Sequence, residues 1–317
     1  MLRPFKTVFD KNARAGIAFD ESRAGLARVR RMDNGSLSLA VRVLETSDAE
    51  DWADYAAAHV SGLELQRTPV STVLPANAYQ LLLVELPKVP ADELLAAVRW
   101  RIKDLIDFPL EEAVVELLEM PRHVNRANAP VAYAVVSRRA EILQQIDLMR
   151  QADLRLDVID IPELCMRNIS VLLPQDDVGV AFLHFTDDCG YLTITQKGVL
   201  HLVRRLESGR RDLTAADNEA FILQERIAGI SLEVQRSLDY YESHYDCRPV
   251  SEIILSPGVD LEALPESLTD QLGLSVSRMA LDDLFTLEND ISAAEQGRCL
   301  LAVGAALRTD TVPKQAA

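Results

Sequence analysis

The chain has 317 residues, 48% of them hydrophobic and 26% charged, which is enough for two domains that each bury a core. Its formal net charge is −16, a field that repels nucleic acid and anionic lipid and excludes both as primary ligands. The cysteines Cys165, Cys189, Cys247 and Cys299 form no CxxC pair, which argues against zinc and disulfides and fits a reducing cytoplasm.

Residues 1–16 are basic without the apolar core of a signal peptide, and a disordered leader is expected there. Ile17–Phe19, Gly25–Arg31 and Leu37–Leu44 read as strands, the last two joined at Asn34-Gly35, a hairpin signal. Asp48 to Val60 reads as a helix, with Ser47 as N-cap and Glu50 completing a capping box. Pro69–Leu74 and Tyr79–Val84 follow as further strands of the first core, the run Leu81 to Val84 being too short to cross a bilayer. Leu94, Leu95, Val98, Ile102, Leu105 and Ile106 make an apolar stripe at helical spacing, ended by a turn at Pro109. With a strand at Val131–Val136 and a helix over Arg138–Ala152, residues 89–152 are expected to form an α/β subdomain mounted on the first half.

The linker-like Leu172 to Asp177 divides a first domain, 1–175, from a second, 178–310. In the second, Leu223, Ile227, Ile230, Val234, Leu238 and Tyr241 define one long amphipathic helix. A strand at Ile253–Leu255, the turn Ser256-Pro257-Gly258 and a small-residue helix over Cys299–Arg308 complete it, and residues 311–317 read as a disordered tail. The arginine clusters, Arg204-Arg205 and Arg210-Arg211 among them, read as solvated faces.

Each half opens on a hairpin, one turning at Asp20-Glu21-Ser22-Arg23 and the other at Thr186-Asp187-Asp188-Cys189. Paired hairpins of this kind resemble the fold of actin and sugar kinases, whose glycine-bearing tips close backbone N–H groups on nucleotide phosphate. Neither tip here holds a glycine.

Longer stretches carry a closer resemblance: "VRWRIKDLIDFPLEEAVVE" (98–116), "RLDVIDIPELCMRN" (155–168), "SLEVQRSLDYYES" (231–243), "SEIILSPGVDLEALPESLTDQLGLSV" (251–276) and "CLLAVGAALR" (299–308). In order and spacing they resemble the PilM-type proteins of type IV pilus assembly, most closely the MSHA-pilus (MshI) branch. The family is similar to the division protein FtsA and to the cytoplasmic part of the secretion protein GspL. The resemblance implies an α/β, actin-like (FtsA/PilM-like) two-domain fold with a subdomain inserted in the first half. It also implies a cytoplasmic place at the inner face of the bacterial inner membrane, reached only through partners. Those partners would be the N-terminal peptide of a PilN-like membrane protein and other pilus platform proteins.

PilM proteins carry Asp-x-Gly at both phosphate turns. Here Asp20 keeps the carboxylate, Ser22 replaces the first glycine, and His184 and Thr186 replace the second pair. Asp187 and Asp188 beside them would repel phosphate. The family's Gly-Gly turn on the adenosine side is reduced to Gly258 after a proline that lacks a backbone donor. The expectation is a degenerate site with no cofactor, no metal and no catalysis. The alternative is an ATP–magnesium relative that hydrolyses slowly or switches shape with nucleotide. A small-molecule kinase would need intact turns and a catalytic base, and no base stands out.

His184 and Cys189 can be read as a Cys–His nucleophile pair or, more plainly, as a strand histidine and a turn thiol. Glu111-Glu112 reads as surface acid. Trp100, Arg101, Phe108, Pro109 and Leu110 are the candidate rim of a peptide groove between the first core and the insert, with plain core packing as the alternative. Edge strands of the insert suit β-augmentation, and the acidity suits a peptide with basic residues.

Overall fold

The computed structural model describes residues 10–20, 23–45, 60–121, 130–215, 220–245, 248–259 and 263–308. Residues 1–9, the tail, Cys247, Glu21, Ser22 and the predicted helix from Asp48 as far as residue 59 lie outside the described residues. The disordered leader expected over 1–16 is cut short, because the first strand already begins at Ala13, with Ala13 and Ala15 buried.

Strands β1 (Ala13–Phe19), β2 (Arg23–Arg31) and β3 (Leu37–Glu45) form an antiparallel meander, and β4 (Val70–Val73) joins β1 in parallel. The chain then leaves this sheet for β5 (Tyr79–Glu85), helix α1 (Ala91–Ile102), β6 (Ala113–Glu119), β7 (Val131–Arg138) and α2 (Arg139–Gln151). It returns as β8 (Leu156–Asp160), parallel to β4, followed by α3 (Pro162–Ser170).

The second half repeats the plan. Strands β9 (Val180–Phe185), β10 (Gly190–Gln196) and β11 (Val199–Leu206) are antiparallel. After α4 (Arg210–Ala215) and α5 (Ala220–His244), β12 (Glu252–Leu255) pairs in parallel with β9. Helix α6 (Ala263–Leu272) leads to β13 (Ser275–Arg278), parallel to β12. A short β14 (Thr286–Leu287) then crosses back to cover the β3 edge, and α7 (Ala293–Ala306) ends the described chain. The sheet orders are β14-β3-β2-β1-β4-β8 and β11-β10-β9-β12-β13, so three antiparallel and two parallel strands recur in the same sequence. This duplicated α/β architecture is the actin-like fold.

Helices α3 and α7 pack between the two sheets, where Met166, Ile169, Cys299, Leu300 and Val303 meet Val41 and Phe182 in one buried cluster. Small residues on α7 let the sheets approach. A Cβ on Gly16 of β1 would come within 1.8 Å of the Ala302 carbonyl oxygen, and one on Gly304 within 2.2 Å of that of Cys165. The helix starts at a reciprocal cap, in which Ser292 Oγ accepts from the Glu295 N–H and Glu295 accepts from the Ser292 N–H. On α5, every residue of the predicted stripe from Leu223 to Tyr241 is buried.

The inserted layer is a three-stranded sheet, β5-β7-β6, covered by Val98 and Ile102 of α1. It begins earlier than the sequence suggests. Tyr79–Glu85, expected in the first core, pairs along its length with β7, because a turn in which Ala78 N–H donates to Pro75 C=O redirects the chain. Helix α2 closes back on the first half, with Met149 buried beside Leu65 and Val70. Helix α1 ends at Ile102, whose carbonyl accepts the Leu105 N–H in a turn, so Leu105 is exposed and does not continue the stripe. Among the described residues no helix is long and apolar enough to cross a membrane.

Candidate functional site: the cleft between the hairpin tips

Short backbone bonds close both tips. Asp20 N–H donates to Arg23 C=O at 2.9 Å, and Thr186 N–H to Cys189 C=O at 2.9 Å. The tips face each other across the cleft and are tied by charge. Arg23 Nη1 donates to Asp187 Oδ2 at 3.1 Å, while Arg210 donates to Asp187 Oδ1 from Nη2 at 2.6 Å and from Nε at 3.0 Å. Glu45 steadies Arg23 from behind, both carboxylate oxygens lying 2.9 Å from Nε. Arg211 pairs with Asp188 at 2.7 Å. Burial pushes the Asp187 carboxyl up, but the Arg210 hydrogen bond and the charges of Arg210, Arg23 and Arg211 outweigh it and hold the group below the usual carboxylate range.

This changes the electrostatic expectation. Asp187 and Asp188 do not present unopposed negative charge, because arginines neutralise both. Arg210, read from sequence as part of a solvated face, turns into the cleft because the chain after β11 lies directly on the second tip, whereas Arg211 stays half exposed at its mouth. Arg210 N–H donates to Thr186 C=O at 2.8 Å, and a Cβ on Gly209 would meet Asp187 O at 2.3 Å. Arg23, Arg210, Arg211 and Arg298 line an open cavity of about 550 Å³ together with Asp187 and Gly258. Gly258 has φ +88°, and the turn that carries it abuts α7, where a Cβ on Gly297 would meet Pro257 O at 2.3 Å.

His184 is fully buried, with Nδ1 2.9 Å from Ser256 Oγ. Burial, and secondarily the Arg210 charge, pushes its pKa down to about 3, so it is a neutral structural histidine. Cys189 Sγ lies 3.5 Å from Thr186 Oγ1. Histidine and thiol thus have separate partners, and the Cys–His pair is not formed. Ser22 lies outside the described residues, while Asp20 and Thr186 border a second groove of about 390 Å³.

That groove runs between the first core, α2 and the second tip. Phe19, Leu74, Leu148 and Tyr191 give it an apolar floor, Asp20 and Glu141 add negative charge, and Arg205 and the Arg211-paired Asp188 complete the lining. Nearby, the Tyr79 hydroxyl reaches both oxygens of the buried Glu163, at 2.7 and 2.8 Å. Burial pushes the Glu163 carboxyl up. This polar link between insert and α3 has no local sequence signal, since Tyr79 and Glu163 read as ordinary strand and helix residues.

The five predicted rim residues are not brought together. Trp100 is 69% exposed, pointing outward between the buried Val98 and Ile102, with the Lys103 ammonium 5.6 Å from its ring. Arg101 is exposed and donates to Glu85 C=O at 2.9 Å. Phe108 and Leu110 pack into the insert core, Phe108 beneath the Arg138 guanidinium at 4.3 Å. Pro109 is exposed and starts a turn that Glu112 N–H closes on its carbonyl. None of the five lines the groove.

No family profile matches the sequence, and neither does any curated protein. Solved structures do match. One is a PilM-PilN type IV pilus biogenesis complex, with TM-score 0.74 at 20% identity over 93% of this chain and 97% of that chain. Another is the cytoplasmic domain of EpsL, an inner-membrane component of the type II secretion system of Vibrio cholerae, with TM-score 0.51 at 11% identity over 94% of this chain and 96% of that one. At these identities the likeness is one of fold, and with the duplicated sheets it establishes an α/β actin-like chain with an α/β layer inserted in its first half.

Proposed function

We propose that the protein is a non-catalytic scaffold of an MSHA-type type IV pilus platform at the cytoplasmic face of the inner membrane. It binds the cytoplasmic N-terminal peptide of a PilN-like membrane protein and, through it, the other platform proteins. The observation that carries this reading is the end-to-end likeness to the PilM-PilN complex structure, at TM-score 0.74. The groove beside α2 supports it, since its apolar floor and the carboxylates of Asp20 and Glu141 suit an extended peptide with basic residues beside apolar anchors.

Peptide pull-down tests the placement. Glu141→Lys should weaken capture about tenfold at low salt, roughly 1.4 kcal/mol, while Trp100→Ala and Arg101→Glu leave it unchanged. The reverse pattern would move the peptide to the outer face of α1.

The arginine-lined cavity favours a second reading, an ATP–magnesium relative that hydrolyses slowly or switches with nucleotide. A thermal shift separates the two. Ligand at 100 times its Kd adds about 2.7 kcal/mol, and the scaffold reading expects almost no gain with ATP and magnesium.

A further inference from the structure

Glu45, Arg23, Asp187 and Arg210 form one unbroken line of charge across the cleft. Its centre is the Arg23–Asp187 pair, the step that joins the first half to the second. The Asp187 side chain is 8% exposed and that of Arg23 25%, so the tie is partly shielded from solvent and salt, more than a surface pair. Helices α3 and α7 hold the halves together at the base of the cleft through a shared apolar core. The tips are polar, and a polar tie is what can close them.

We propose that Asp187 is the cleft's own resident anion, a latch that occupies Arg23 and Arg210 together, closes the two halves at their tips and keeps phosphate-bearing anions out. Arg23 and Arg210 direct three N–H groups at this one carboxylate. Without its charge, both guanidinium groups would face a cavity of about 550 Å³ already flanked by Arg211 and Arg298, and an external polyanion would find a ready set of donors. The latch goes beyond the pilus reading, because partner capture neither requires nor excludes it.

Calorimetric titration of pyrophosphate into the full chain tests it. Asp187→Asn keeps the side-chain shape and should bind pyrophosphate at least about tenfold more tightly than wild type, the gain vanishing in about 0.5 M NaCl. Asp187→Glu keeps the charge and should behave as wild type. Equal affinities for wild type and Asp187→Asn, weak or tight, would overturn the latch. Hydrogen exchange on Arg23→Gln provides a second readout that needs no ligand. Amides of residues 187–189, on the opposite side of the cleft, should exchange at least about tenfold faster than in wild type, and unchanged exchange there would also overturn it.

Discussion

Gly16→Ala is expected to destabilise the protein by about 3 kcal/mol or more, or to prevent folding. The added methyl would lie 1.8 Å from the Ala302 carbonyl oxygen and 2.8 Å from the Ala306 nitrogen, both backbone atoms of α7. Backbone cannot turn aside as a side-chain tip can. Either β1 or α7 must move, and Ala302 and Ala306 are both buried in the core that joins the two sheets. Thermal denaturation reads the effect, since about 1 kcal/mol shifts the midpoint by roughly 1–2 °C in a chain of this size. Gly229→Ala supplies the opposite sign. That glycine is on α5 with nothing within 4 Å of a built Cβ, so alanine should stabilise by about 0.5–1 kcal/mol through helix propensity. Destabilisation by both variants would contradict the packing account.

Acid should unfold the protein through His184. In the folded state its pKa is pushed down to about 3, while an unfolded histidine titrates near its ordinary value of 6.5. Between these values the unfolded chain takes up a proton that the folded chain refuses. The stabilising contribution is therefore complete above the unfolded pKa. It is lost as pH falls toward 3, at up to about 1.4 kcal/mol per pH unit. His201, also lowered by burial, adds to the same limb, and Asp187 extends it below the ordinary carboxylate range. Glu163 acts in the opposite direction. Its raised pKa favours the folded state at low pH, and that contribution fades as pH rises above the unfolded value of 4.5. Denaturant titrations across pH should show a shallower acid limb for His184→Gln, and about 1 kcal/mol more stability for Glu163→Gln near neutrality, where the neutral amide can still accept from Tyr79. An unaltered acid limb in folded His184→Gln would contradict the assignment.

The elements that the sequence displays are those fixed by local periodicity. The stripe on α5, the Asn34-Gly35 hairpin and the two opening hairpins depend on neighbours within a few residues, and they lie where the pattern puts them. Strand β5 is different, because an apolar strand after Pro75 fits either sheet and pairing with a strand dozens of residues onward decides. The site was the least legible part. Asp187 looks repulsive until Arg210, 23 residues later, and Arg23, 164 residues earlier, are seen beside it. The predicted rim residues scatter for a related reason. Within one short segment, Trp100 turns to solvent while Phe108 turns into the insert core, and no run of residue types distinguishes the two.

On the function proposed above, this actin-like chain binds a peptide and needs no nucleotide to do so. Calorimetric titration of a PilN-like N-terminal peptide into the nucleotide-free full chain, repeated with saturating ATP and magnesium, tests it most directly. The account predicts saturable binding with the same Kd in both. Binding that appears only with ATP, or a Kd that moves more than about tenfold, which is a coupling of roughly 1.4 kcal/mol, would contradict it.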